Sequence, residues 1–243
     1  MNTTRSVLFA LLSLGFLAGC GGDETEDINR LHEEAADLYV KGKYREAKAS
    51  MTRGYAAFER LEVKDKAKRV EYLRVLSNIS NKLQENDKTI EYATEVAIHA
   101  LTDDDRSFAY GLLGLAYLSK GEYEKAIGYY EKALAIQLKT LGAEHPEVGT
   151  TYNNIGSVYD SKGEYEKAIG YYEKCLAIEL KKLGAEHPDV GGSYNNLGGA
   201  YHGKGDKATA MAYLLKAKAI FLKKLGAQHP NTKNVQEWID SLE

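Results

Sequence analysis

Residues 121–162 and 163–204 align without a gap, and 31 of the 42 aligned positions are identical. Repetition at this period restricts the chain to an array of stacked supersecondary units, each burying its apolar face against its neighbours. Within a unit the apolar spacing is helical. Tyr152, Ile155, Gly156 and Tyr159 recur at i, i+3, i+4 and i+7, which is one face of a helix. A second series follows Gly163: Tyr165, Ala168, Ile169, Tyr172, Cys175 and Leu176. Gly163 stands where the first helix has to stop and reverse. Each unit therefore reads as an antiparallel helix hairpin.

Between hairpins lies "LGAEHP" at 141–146 and 183–188, and "LGAQHP" at 225–230. All three prolines of the chain sit in these motifs. A residue before proline is pushed out of the helical region, and proline itself suits the first helical turn. The motif is a stop, a short loop and a restart. His145, His187 and His229 lie on this regular spacing but cannot share a metal within one chain. Zinc ligands sit about 2.0–2.1 Å from the ion, whereas successive repeats are two helix layers, roughly 16–20 Å, apart. The expectation is no metal site, with each imidazole capping or packing its loop.

The stretch "YNNIGSVYDSKGEYEKAIGYYEKCLAI" (152–178) resembles the tetratricopeptide repeat. The resemblance implies that Gly156 permits close helix approach and that Ala168 and Cys175 are the small residues at the crossing. It also implies that Tyr159, Tyr165 and Tyr172 fill the wedge between helices, which accounts for much of the total of 18 tyrosines. The "LGxxHPxV…NNL" pattern resembles the repeats of kinesin light chains and nephrocystin-like proteins. The implied fold is all-α, a right-handed superhelical solenoid of antiparallel helix hairpins. It comprises about five hairpins over 28–230 and a capping helix over 231–243, with Trp238 and Leu242 packing inward. Residues 28–60 and 70–101 are weaker copies, the latter with "QENDK" in place of the glycine turn.

At the N-terminus one positive charge, Arg5, precedes an apolar run from Val7 to Leu17. That is the size of a signal-peptide core and too short to span a bilayer. The run ends in "LAGC", Leu17 to Cys20, which resembles a bacterial lipobox. The resemblance implies a lipoprotein signal peptide over 1–19 and a lipidated, palmitate-bearing Cys20 that attaches the chain to the bilayer. Two or more chains hold a protein stably at about 0.8 kcal/mol per buried CH₂. Residues 20–27 read as a flexible acidic tether. Gly21, in place of an aspartate, points to the outer membrane facing the periplasm, with the inner membrane or cell surface as alternatives.

A net charge of −3 disfavours a nucleic-acid partner. "GGAYHGKG" (198–205) approaches a phosphate-binding loop but ends in Gly205 where a Ser or Thr would hold magnesium, and no strand precedes it. "TDDD" (102–105) lacks the glycine and alternating ligands of a calcium loop and reads as an acidic helix start. Cys175 replaces Ala133 of the preceding copy, so a packed thiol is expected. No catalytic constellation stands out. The expectation is a chain without cofactor or small-molecule substrate, and not an enzyme.

In the resembled family, peptides lie along the first helix of each hairpin. The corresponding positions here are Arg74, Asn78, Asn81 and Lys82 in the second repeat and Leu112, Leu115 and Leu118 in the third. In the fourth they are Asn154, Ser157 and Asp160, and in the fifth Asn196, Gly199 and His202. An amide can both donate to and accept from an extended backbone, and Arg or Lys would hold an acidic group. The alternative is that Asn153, Asn154, Asn195 and Asn196 bond across adjacent repeats. The function implied is a membrane-anchored scaffold for a protein or peptide partner. The rivals are an assembly lipoprotein of an outer-membrane, secretion or pilus complex, and an enzyme accessory subunit.

Overall fold

The structure, a computed structural model, describes residues 23–61 and 65–242. Those residues form eleven helices and no strand. They are α1 Asp23–Val40, α2 Tyr44–Arg60, α3 Lys66–Lys82, α4 Asn86–His99, α5 Asp103–Ser119, α6 Tyr123–Thr140, α7 Pro146–Ser161, α8 Tyr165–Leu183, α9 Pro188–Gly203, α10 Lys207–Leu225 and α11 Pro230–Leu242. Their order along the sequence is that of an all-α array of helices joined by short turns. The chain divides into two compact units, Met1–Glu122 and Tyr123–Glu243. The first contains α1 to α5 and the second α6 to α11. Helix α1 begins at Asp23, inside the stretch expected to be a tether. Cys20 and the signal segment lie outside the described residues. Among the described residues no helix is long and apolar enough to cross a membrane.

One turn geometry recurs after the first helix of each pair. Gly42, Gly121, Gly163 and Gly205 have φ between 72° and 89°. The following N–H, of Lys43, Glu122, Glu164 or Asp206, donates at 2.9 Å to the carbonyl of Leu38, Tyr117, Tyr159 or Tyr201. This is a glycine C-terminal cap that satisfies an otherwise open carbonyl. The second repeat makes the same turn without glycine. Gln84 adopts φ 58° and Glu85 donates to Ser80 at 2.9 Å. A left-handed non-glycine residue costs roughly 1–2 kcal/mol, so the "QEND" turn is held by the packing around it.

The opposite ends of the long hairpins carry the histidines. Nδ1 of His145, His187 and His229 accepts the N–H of Glu147, Asp189 and Asn231 at 3.3, 3.2 and 3.2 Å. Each imidazole thus caps the helix that starts at the next proline. Among the described residues no cluster of three or more His, Cys, Asp or Glu is placed to hold a metal ion. The acidic start at 102–105 is likewise a cap: Thr102 and Asp105 form a reciprocal capping box at the start of α5.

In the first unit Ile28, Tyr39, Met51, Phe58, Tyr72, Leu76 and Ile79 form one buried cluster. A second holds Val70, Leu73, Val96 and Ala109. In the second unit Ala168, Ile169 and Tyr172 of α8 pack with Leu197 and Ala200 of α9. Leu214 and Phe221 of α10 close on Val235, Ile239 and Leu242 of α11. Trp238 does not join them: it is 37% exposed and meets the His202 ring edge-on at 5.6 Å. The 13 residues of α11 present one apolar stripe, which Val235, Ile239 and Leu242 already fill. Tyrosines stack in the same way in successive copies, Tyr159 on Tyr171 at 5.6 Å and Tyr201 on Tyr213 at 5.5 Å. Cys175 is buried, and burial pushes its thiol up to about 12, as befits a packing residue.

Lysines bind successive copies of the second unit together at both ends of the hairpins. At the glycine turns Lys162 reaches Glu124 at 3.1 Å and Lys204 reaches Glu166 at 3.4 Å. At the histidine loops Lys181 pairs with Glu144 and Lys223 with Glu186. Exposed pairs of this kind add little individually, because solvent and salt screen them.

Candidate partner-binding surface

The first unit places its expected binding residues in unlike environments. Arg74 is engaged within the unit. Its Nη1 donates to Asp105 at 2.5 Å and Asp104 at 3.0 Å, and its guanidinium lies 4.5 Å from the centre of the Phe108 ring. The expectation that Arg74 holds an acidic group of a partner is corrected: Arg74 ties α3 to the start of α5, and only 23% of its side chain is exposed. Asn78 is likewise corrected. It is 3% exposed and accepts a hydrogen bond from the Tyr39 hydroxyl at 3.1 Å, which links α3 to α1. Asn81 is half-buried at the end of α3, and Lys82 is exposed there. Leu112 is buried, while Leu115 and Leu118 are half-buried.

The second unit offers a more continuous surface. On α7, Asn153, Asn154, Ser157 and Asp160 are all half-buried, as are Asn195, Asn196 and Gly199 on α9. The Asn196 amide donates to Asn153 Oδ1 at 2.8 Å, so one asparagine of each pair fastens α9 to α7. This is the cross-repeat bond that the sequence left as the alternative, realised for Asn153 and Asn196. Asn154 forms no such bond, and Asn195 Oδ1 is buried without a hydrogen-bond partner. His202 Nδ1, behind Trp238, is in the same condition.

Between these side chains the helix surface is bare. A Cβ built on Gly192 or Gly199 meets no atom within 4 Å. The preceding copy carries Thr150 and Ser157 at these positions. Glycine costs roughly 1 kcal/mol relative to alanine inside a helix, and no close neighbour in the fold requires it here. The contrast with Gly156 and Gly198 is direct: added Cβ atoms there would come within 2.7 Å of Tyr172 and Leu214. The helical register places Gly199 on the binding helix but does not separate open glycines from packing ones. Comparing Gly192 and Gly199 with Thr150 and Ser157 was the signal available.

Residues 105–181 and 162–223 match the tetratricopeptide repeat family model. No curated protein sequence matches the chain. Among solved structures, the chain is similar to a kinesin-light-chain-like protein of Podosopora anserina with nearly identical TPR-like repeats. The identity is 25%, the match covers 84% of this chain and 99% of that one, and the TM-score is 0.70. It is also similar to BtubC (BKLC) from P. vanneervenii, at 25% identity over 80% of this chain and 81% of that one, with a TM-score of 0.69. A Rap conjugation gene regulator in complex with the Phr peptide shares the fold alone, at 14% identity over 95% of this chain and 64% of that one, TM-score 0.67.

Proposed function

We propose that this array of tetratricopeptide repeats is a membrane-anchored scaffold that holds a peptide or protein partner on the α7–α9 face of its second unit. The observation that carries the reading is the uncovered backbone at Gly192 and Gly199 of α9, on a face that also carries the half-buried Asn154 and Asn195 of α7 and α9. An extended segment can lie against a helix that lacks side chains there, with amides on the same face to meet its peptide groups. The lipobox-like Leu17–Cys20 supports the location of this activity: a lipid on Cys20 would hold the captured partner at high local concentration beside a bilayer.

Two measurements test the two halves of this reading. Gly199→Leu fills the open strip without touching the core, and the helix gains propensity. Affinity capture from detergent-solubilised membranes should lose its specific partner, while the melting temperature stays the same or rises. Gly170→Leu serves as control, since Gly170 is equally open but lies on α8. Identical capture by all three proteins would remove the surface from consideration. Separately, Cys20→Ser should release the chain from the membrane fraction or leave the precursor uncleaved. Unchanged processing together with unchanged retention would rule out the anchor.

A further inference from the structure

We infer that the partner held on the α7–α9 face presents a lysine or arginine side chain, which Asp160 receives. The inference rests on the reading of that face as a binding surface and specifies the chemistry it takes. Neither helix carries a lysine or arginine anywhere along its length, Pro146–Ser161 or Pro188–Gly203. Glu147 and Asp189 belong to the first turns, where they follow the capping histidines. Among the uncharged positions Asn153, Asn154, Ser157 and their counterparts on α9, Asp160 is the one ionised group.

Asp160 is also unanswered. Its carboxylate is half-buried and, among the described residues, has no hydrogen-bond or ion-pair partner. Burial alone moves its pKa above the ordinary carboxylate value, and no cation opposes the shift. The nearby lysines are committed elsewhere: Lys162 to Glu124 and Glu164, and Lys167 to Glu164. A partly desolvated carboxylate without a partner is unfavourable, and an incoming ammonium or guanidinium relieves it. The Asn195 Oδ1 left without a donor has the same sense. Both are acceptors left unanswered, and a side chain with three or five N–H donors can answer an acceptor. In the first unit, by contrast, the charged residue Arg74 is answered within the chain, by Asp104 and Asp105.

The test uses three fluorescein-labelled decapeptides of alternating Lys-Ala, Glu-Ala and Ser-Ala, titrated with the full chain in detergent at low ionic strength and followed by anisotropy. The expected result is that the Lys-Ala peptide binds best and that Asp160→Asn weakens it by about tenfold or more, the usual effect of losing a charged hydrogen-bond partner. Glu131→Gln and Glu173→Gln, exposed acids on α6 and α8, should change it by less than about twofold, the modest effect of exposed charges. Because Asp160→Asn removes a desolvated charge, its melting temperature should not fall, and misfolding would not mimic the loss. If the Glu-Ala peptide binds most tightly and responds to Asn154→Ala, the charge inference is overturned while the surface stands. If the peptides bind but no α7 or α9 substitution affects them, or if the outer-face changes weaken them equally, both the inference and the surface fall. Absence of any binding by the Lys-Ala peptide also overturns the inference.

Discussion

Acidification from pH 7 to pH 4 is expected to remove about 3 kcal/mol of stability from the first unit through His32 alone. His32 lies on α1 and is 5% exposed; its ring is 4.4 Å from that of Tyr72, and neither nitrogen has a hydrogen-bond partner. Burial, and secondarily the charge of Lys68, lower its pKa from 6.5 to about 4. The unfolded chain takes up a proton as pH falls through 6.5, while the folded chain resists until about 4. The unfolded state therefore binds more protons in that window, and stability falls as pH falls. Above 6.5 both states are neutral at this residue and the contribution is fully present. At about 1.36 kcal/mol per pH unit, the window is worth about 3 kcal/mol. Urea unfolding of the parent and of His32→Leu, measured by circular dichroism from pH 7 to pH 4, isolates the effect. The variant should lack that part of the pH slope. Equal slopes in the two proteins would show that the imidazole is protonated without opening the core.

Gly156→Ala should destabilise the second unit by about 1–2 kcal/mol, while Gly170→Ala should stabilise it by up to about 1 kcal/mol. Both replace glycine inside a helix and gain the same propensity, at most about 1 kcal/mol. They differ in what the new methyl meets. At Gly156 it comes within 2.7 Å of two Tyr172 ring carbons and 3.3 Å of the Ala168 carbonyl oxygen. Tyr172 is 3% exposed, so its ring has no free space to move into. Overpacking of this kind costs about 1–3 kcal/mol and outweighs the propensity gain at most of that range. At Gly170 nothing lies within 4 Å. Thermal melts of the two variants should move in opposite directions. If both rise, the Tyr172 ring yields and close helix approach is not what Gly156 provides.

The near-identical copies made the later hairpins legible, because every turn glycine and packing tyrosine is seen twice. The second repeat was legible as helices but not as a turn, since Gln84 adopts by context a conformation that composition assigns to glycine. The binding residues divided along the same line. Asn78 and Arg74 were placed on an exposed face by register in a weak copy. Their partners lie 39 and 30 or 31 residues away along the chain, and a helical periodicity does not reveal a distant hydroxyl or carboxylate. The acidic triplet at 103–105 was correctly read as a helix start, but its second role as the counterion of Arg74 depends on the folded chain. Asn154 and Asn196 are chemically the same residue at the same position of successive copies. Only the neighbouring helix distinguishes them: Asn196 finds Asn153, and Asn154 has no counterpart asparagine to receive it.

The lysine rungs have a consequence for how such a chain can change its length. Each junction joins a lysine of one copy to a glutamate of the copy before it, at the same two places, Lys162 with Glu124 and Lys204 with Glu166, Lys181 with Glu144 and Lys223 with Glu186. A copy gained by duplication therefore arrives with both halves of its junctions already encoded, and one lost leaves its former neighbours able to join each other. Copy number can drift without any interface being redesigned. The last loop departs from this rule, with Gln228 where Glu144 and Glu186 stand in the earlier loops, so the sequence that permits growth within the array offers no acid to a further copy at its end.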